Sequence, residues 1–411
     1  MTCEKKKPEL LAPARSFDIL KTAIRYGADA VYIGGDAYGL RANAENFSDR
    51  EMEEAVGYAH ERGKRVYVTV NIFAHNKDLQ GIRSYLKTLD EKIRPDAVLV
   101  ADPGVFMMAK ECLHDIEIHI STQANNTNYE TALFWKKLGA KRIVTARELS
   151  LKEIEELREN IPDDMEIETF VHGAMCISYS GRCLMSNYLT GRDANQGECT
   201  HPCRWKYSLM EEKRPGQYFP VEENDRGTYI MNSKDLNMIS HIPDLINAGI
   251  DSFKIEGRMK TALYVASVVR AYRKAIDDAI YDMEKYKGNL QWYENEVRQC
   301  TYRDFTTGFF YGRPGSGDQI YDSNTYKRGS TYIGTVESAD GVAEFVQKNK
   351  FSVGDVITIM KSNGENLETV VTSISDEEGS PMESASHASQ RLRVGFTVMP
   401  EQGDILRIQE A

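Results

Sequence analysis

Eight short apolar segments, each followed by an amphipathic stretch, occupy this 411-residue chain between Glu9 and Arg258. They begin at Glu9 (ELLAPA), Asp29 (DAVYIGG), Arg65 (RVYVTVN), Asp96 (DAVLVAD), Ile116 (IEIHISTQ), Arg142 (RIVTAR), Glu166 (EIETFVHG) and Ser252 (SFKIEGR). Strand-length β-branched runs alternating with helical patterns argue for βα units and a parallel sheet. The helices carry their own punctuation. Ser48 with Glu51, and Ser150 with Glu153, have capping-box spacing. Met52, Ala55, Val56 and Ala59 form a buried stripe behind the first of these. Gly27, Gly63, Gly139 and Gly249 stand where helices should stop. Three of those glycines open one faint repeat, a helix stop followed at once by a strand. Eight such units predict a closed (β/α)8 barrel, with an open doubly wound sheet as the alternative. No G-x-G-x-x-G follows the first strand, which counts against the alternative.

Strand parity shows what such a barrel would hold. Successive side chains alternate faces. With the valines and isoleucines facing the helices, the inward set is Tyr67, Thr69 and Asn71, then His119, Ser121 and Gln123, then Glu168 and His172, then Lys254, Glu256 and Arg258. A purely structural barrel interior would favour Val, Ile and Leu. Burying polar groups is costly unless they pair with one another or bind something. For the lower residues a Glu168–Lys254 ion pair is expected. Asn71, Gln123, His172, Glu256 and Arg258 fall at strand C-terminal ends, the catalytic face of this architecture, and are candidate catalytic residues. Arg41, in the loop after the second strand, and Arg147, after the sixth, are candidates on the same face. A guanidinium binds carboxylate bidentately, so Arg41, Arg147 and Arg258 are expected to anchor a small carboxylate. Arg182 is a similar candidate.

Four of the seven cysteines crowd into one segment after the seventh strand, Cys176, Cys183, Cys199 and Cys203, spaced C-x6-C-x15-C-x3-C. Thiolate sulfur is soft and selects zinc, copper(I) or iron–sulfur clusters. Structural zinc sites use tight pairs, and here only Cys199 and Cys203 are that close. A 4Fe-4S cluster also takes four cysteines and suits the wider loops, with zinc as the alternative. His201 can stand in for one thiol. Cys3, Cys112 and Cys300 are scattered and read as ordinary thiols. The N-terminus lacks the apolar core of a signal peptide and no stretch approaches a membrane span, so a cytoplasmic location without membrane attachment is expected. Disulfides are rare in that compartment.

From Gly329 onward the pattern changes to short strands: Thr331–Val336, Val342–Gln347, Asp355–Met360, Thr369–Ser373, Leu392–Val398 and Asp404–Ile408. The expected organisation is a barrel over 1–275 with a Cys-rich insertion at 173–250. A helical and irregular connector follows over 276–325, and a small antiparallel β-barrel module over 326–411. The polar segment Ser375–Gln390 is expected as a mobile loop. The net charge of −11 does not advertise a nucleic-acid binder, so any RNA contact would have to use a local basic patch.

The segment Glu168–Ser186, together with Ser121-Thr-Gln-Ala-Asn125, Arg147-Glu-Leu-Ser150 and Lys254-Ile-Glu-Gly-Arg-Met-Lys260, resembles the peptidase U32 family, also called collagenase-like. The resemblance covers nearly the whole chain. Despite the family name, it implies oxygen-independent hydroxylation of tRNA wobble uridine, of ribosomal RNA cytidine, or in ubiquinone synthesis. The cysteine spacing and C-terminal module are most similar to the members that make 5-hydroxyuridine in tRNA and depend on prephenate. Carried over, the resemblance implies Cys176, Cys183, Cys199 and Cys203 as ligands of an iron–sulfur cluster, tRNA as substrate, and a carboxylate co-substrate. It leaves open a paralogous or homo-oligomeric partner. Two other readings stand beside it. One is a protease, for which the residues supply no H-E-x-x-H and no G-x-S-x-G, only Cys176 as nucleophile with His172 as base. The other is a noncatalytic cluster-bearing scaffold or redox partner.

Overall fold

In the computed structural model all eight expected barrel strands form. Residues 6–36, 38–39, 46–176, 178–205, 208–210, 218–220, 233–315, 318, 320 and 326–410 are described. The strands are β1 (Glu9–Pro13), β2 (Ala30–Ile33), β3 (Arg65–Val70), β4 (Ala97–Val100), β5 (Glu117–Ile120), β6 (Arg142–Val144) and β7 (Glu166–Ala174). After a hairpin of β8 (Ser208–Met210) and β9 (Tyr218–Pro220) and a short β10 (Asp235–Asn237), the eighth barrel strand is β11 (Ser252–Ile255). β1 to β7 pair in parallel in chain order, and β11 pairs with both β1 and β7, which closes the barrel. The Cys-rich excursion returns to the sheet as β10, antiparallel to β7, and β12 (Phe305–Thr306) adds beside β10.

The helix between β2 and β3 spans Asp49–His60, and the one after β6 spans Leu151–Glu159; both begin with a complete capping box, on Ser48 and Ser150. Met52, Ala55, Val56 and Ala59 are buried as the stripe requires. The helix before β6 ends at Gly139 with φ 102°, a left-handed value that only glycine adopts cheaply.

The chain divides into two compact units. One comprises residues 1–17, 29–259 and 303–325, and the other 18–28, 260–302 and 326–411. Most of α1 (Phe17–Arg25) and all of the 20-residue helix Ala262–Tyr281 therefore belong to the second unit, with the C-terminal sheet. That sheet is antiparallel, with six principal strands at Ser330–Thr335, Val342–Val346, Val356–Met360, Asn366–Ser375, Arg391–Phe396 and Ile405–Gln409. They gather around one core that includes Ile333, Phe345, Ile357, Ile359, Val394 and Leu406. The Arg270 and Arg407 guanidinium groups both grip Glu296, at 2.8 and 2.9 Å, with all three side chains buried. Tyr26 donates to the Met360 carbonyl at 2.7 Å and accepts from the Ile405 amide at 3.1 Å. The segment Ser375–Gln390, expected as a loop, has some regular structure. It carries two short strands, and Ala385 is fully buried with its carbonyl bonded to Gln347. Its polar composition hides these few buried contacts.

The lower half of the barrel interior is an ionic lattice. Arg142, 1 % exposed, donates to Glu9 at 2.7 Å, to Glu168 at 2.9 Å and to Glu166 at 2.7 and 2.9 Å. Lys254 reaches the other Glu168 oxygen at 2.6 Å, the ion pair expected from parity. Tyr67 and Ser252 donate to Glu9. Burial alone would raise the Glu9 carboxyl, but the charge and hydrogen bonds of Arg142 and the Tyr67 hydroxyl outweigh it and bring it down to about 2. Glu168 is likewise held below its ordinary value: Lys254 and Arg142 overcome the effect of burial. His119 is driven the other way for a base, below its ordinary value, by burial and by Arg142. The signs agree. Depressed carboxyl values give stability that is full above the unfolded carboxylate range and is lost as pH falls through the folded values. A depressed histidine value likewise costs stability once pH drops below the unfolded value of about 6.5. The urea midpoint is therefore expected to be flat above about pH 6.5 and to fall steadily towards pH 3. His119→Gln should flatten only the upper part of that slope. A midpoint that rises on acidification would contradict the lattice.

Candidate functional site

At the opposite, C-terminal ends of the strands lies a cavity of about 160 Å³. Its floor is the upper inward set: Thr69, Asn71, Ser121, Gln123, Lys254, Glu256 and Arg258 all line it. Asn71 donates to the Ser121 hydroxyl and the Gln123 carbonyl, both at 3.1 Å, and Ser121 also donates to Gln123. The three polar groups, just past the ends of β3 and β5, are thereby locked as one unit. Arg258, 4 % exposed, donates to Thr69 at 3.0 Å. Its guanidinium fills the space where a side chain at Gly34 would begin, since a Cβ there would lie 2.3 Å from Nη1. Arg147 reaches in from the loop after β6. It bonds the Ala174 carbonyl at 3.3 Å and the Cys176 sulfur at 3.8 Å, and sits 3.6 Å from Glu256. Its guanidinium lies 4.0 Å over the Phe170 ring. Lys254 lies 4.5 Å from the Tyr32 ring centroid. The floor thus combines three cations with one carboxylate and an amide–hydroxyl cluster, a composition suited to a small anionic ligand.

The Cys-rich loop forms the roof. Cys176, Cys183, Cys199 and Cys203 all line the same cavity, as does His201. The loop is braced from within: Ser186 and Thr200 hydroxyls are 3.0 Å apart, the Thr200 amide donates to Ser186 at 3.1 Å, and Asn195 donates to the Cys183 carbonyl at 3.1 Å. It is tied to the loop after β3 by the Phe73 amide on the Asn195 carbonyl at 3.1 Å and by Gln196 on the Phe73 carbonyl. Gly181 has φ 74°, and a Cβ there would press on Gln123 at 3.2 Å, so the roof meets the floor where only glycine fits. The backbone amide of His201, itself left-handed at φ 57°, donates to the Cys199 sulfur at 3.4 Å. Burial pushes the Cys203 thiol up to about 11; Arg204 pulls against this while the other three thiols reinforce it. Among the described residues no three His, Cys, Asp or Glu side chains are arranged to hold a single metal ion.

His172 goes elsewhere. Lys254 pairs with Phe170, but the next residue, Ile255, pairs with His172, so β7 carries one extra residue at this point. Such an irregularity re-aims the strand end. The His172 ring packs 5.5 Å from Phe305 of β12, and His172 is not among the lining residues. Cys176 meets the Arg147 guanidinium at 3.8 Å. Arg182 also stands outside the lining, exposed, with its guanidinium 5.1 Å over Phe73. Arg41 lies outside the described residues. Sequence reasoning passed over Phe170 and Tyr32; Phe170 shares the face of Glu168 by simple alternation, so that signal was available. No helix among the described residues is long and apolar enough to cross a membrane.

Comparison with known proteins places this geometry. The model of peptidase family U32 matches residues 15–320, and that of the peptidase family U32 C-terminal domain matches residues 328–407. A tRNA hydroxylation protein P1 of Bacillus subtilis is 43% identical over 391 residues, 94% of this chain and 92% of that one. A tRNA hydroxylation protein P of Escherichia coli is 38% identical, covering 92% of this chain and 91% of the relative. A 23S rRNA 5-hydroxycytidine C2501 synthase of Escherichia coli is 34% identical over 90% of this chain, though over only 54% of its own length. With a barrel, a cysteine-roofed cavity and a C-terminal sheet that both family models span, the chain belongs to peptidase family U32.

Proposed function

We propose that this chain is a tRNA-modifying enzyme that hydroxylates a base, most specifically C5 of a wobble uridine, without molecular oxygen. The observation that carries the reading is the joining of four cysteines and a cationic, amide-lined floor in one cavity. The relatives named for RNA hydroxylation match over most of this chain. Cys176, Cys183, Cys199 and Cys203 would hold a 4Fe-4S cluster. The donor chemistry fits, because four thiols, with His201 beside them, line one roof. Zinc fits less well, since one ion would need all four sulfurs about 2.3 Å from a single point, whereas cluster ligands bind separate irons. Such a cluster, when bound, supplies Lewis-acid or one-electron chemistry. The chain's own residues would orient the reactants. Arg147 and Arg258 would clamp a carboxylate co-substrate such as prephenate. Asn71, Ser121 and Gln123 would hold the polar edge of the reacting base, and Glu256 would fix Arg147.

The test is nucleoside analysis of tRNA from a deletion strain. 5-Hydroxyuridine-derived nucleosides should vanish and return with the wild-type gene. Their persistence in the deletion strain, or peptide cleavage by the iron-free protein, would sink the reading. Arg258→Ala should raise the co-substrate KM by roughly 10-fold or more, the scale of one lost charge-assisted hydrogen bond, while leaving iron content unchanged. An unaltered KM would remove Arg258 from the anchor.

A further inference from the structure

Large apolar side chains are exposed on the Cys-rich loop and on the loop after β3 that is tied to it. Phe73, Tyr179, Leu184, Tyr188, Leu189 and Trp205 are all exposed, Tyr188 to 83 % and Leu184 to 56 %. They form one rim. Tyr179 itself lines the cavity, Leu184 adjoins Cys183, and the Tyr188 amide bonds the Leu184 carbonyl at 3.0 Å. Phe73 is stitched to Asn195 and Gln196, and Trp205 closes the short 3-10 turn that carries Cys203. Single exposed apolar residues are ordinary, but a group of them beside a cavity and bordered by polar groups marks a candidate binding surface. The charges select the partner. Although the chain carries a net charge of −11, the stretch from Gly173 to Trp205 holds three arginines, Arg182, Arg192 and Arg204, against Asp193 and Glu198. The Arg182 guanidinium sits 5.1 Å from the Phe73 ring centroid, and a guanidinium plane can also stack on a base.

We propose that this rim is a stacking platform for the unpaired bases that flank the target nucleotide in an RNA loop. The inference rests on the tRNA reading above and deepens it by placing RNA recognition on the Cys-rich loop. Aromatic faces hold single-stranded bases with little regard to sequence, and nearby arginines follow the phosphates. A cavity of about 160 Å³ admits one extruded base and not a duplex, so the neighbours of that base must be held outside it. A rim of aromatics and arginines does this, whereas an apolar peptide would leave the arginines unused.

The experiment uses the full-length, anaerobically purified protein and a fluorescent anticodon stem-loop RNA. Phe73→Ala, Tyr188→Ala and Trp205→Ala should each weaken binding by about 5- to 100-fold, the range for one lost base stack. Iron and sulfide content and circular dichroism should match wild type. Arg192→Ala should lower the salt slope by about 0.7, one phosphate contact on a single strand. Variants that bind like wild type would overturn the platform while leaving hydroxylation of tRNA standing. A wild-type chain that neither binds the stem-loop nor hydroxylates tRNA would overturn both. Competition at the rim by an unfolded peptide but not by the stem-loop would overturn it in favour of a protein substrate.

Discussion

Cys203→Ala is expected to abolish both iron binding and tRNA hydroxylation. Purified without air, the wild-type chain should contain about four irons and four sulfides, and the variant should lose most of both. Loss of a supporting residue around a metal typically costs about 10- to 100-fold in affinity or activity, so loss of a ligand should cost more than about 100-fold. Cys203 is the sharpest choice among the four. It lines the cavity beside the other three thiols, is partly buried, and sits on the short turn that also positions Arg204. Cys112→Ala is the matched control, because Cys112 is buried in the helix Pro103–Cys112 and is not among the lining residues. It should keep its iron. Full iron and full activity in Cys203→Ala would remove this thiol from the ligand set. One zinc without sulfide in the wild type would replace the cluster by a structural staple and return the chain to the scaffold reading.

What the sequence made legible was what local rules determine. Capping boxes, left-handed glycines and period-two strands are properties of a few consecutive residues, and they were enough to place all eight barrel strands. Parity then separated the inward polar residues, and Thr69, Asn71, Ser121, Gln123, Glu256 and Arg258 meet in one cavity although they are spread over 190 positions of chain, as the 189-residue separation of Thr69 and Arg258 illustrates. What stayed hidden depends on distant pairings. The extra residue in β7 just before His172 shows only in its pairing with β11, a strand far along the chain, and nothing in the sequence around His172 signals it. The attachment of residues 18–28 and 260–302 to the C-terminal sheet rests on contacts such as Tyr26 with Met360 and Arg270 with Lys361, separated by 334 and 91 residues. Composition could not reveal these.

The polar barrel interior divides into a structural half and a functional half, and Arg142→Met should show where the line falls. Removing this guanidinium strips Glu9 and Glu168 of the cation they share, and leaves Glu9 buried without its main partner. Breaking a buried pair from one side costs about 3–5 kcal/mol, because the remaining charge is uncompensated. The deficit should depend on pH in a particular direction. With Arg142 gone, burial governs the Glu9 carboxyl and its proton affinity rises. The variant can then shed the buried charge by binding a proton, whereas the wild type loses a favourable ion pair as it is acidified. The stability gap measured by urea unfolding should therefore be widest near neutral pH and narrow as pH falls below about 5. Adding Glu9→Gln should recover part of the loss, with a coupling of about 0.5–3 kcal/mol between the two sites. Hydroxylation per folded molecule and iron content should both be retained, since Arg142 lies at the start of β6 and is absent from the cavity lining. A loss below about 1 kcal/mol that ignores pH would mean the lattice is solvated rather than buried. A folded Arg142→Met protein without activity would mean that the two halves of the barrel are coupled, and that the lower ions tune the floor through Lys254, which reaches from Glu168 to the cavity.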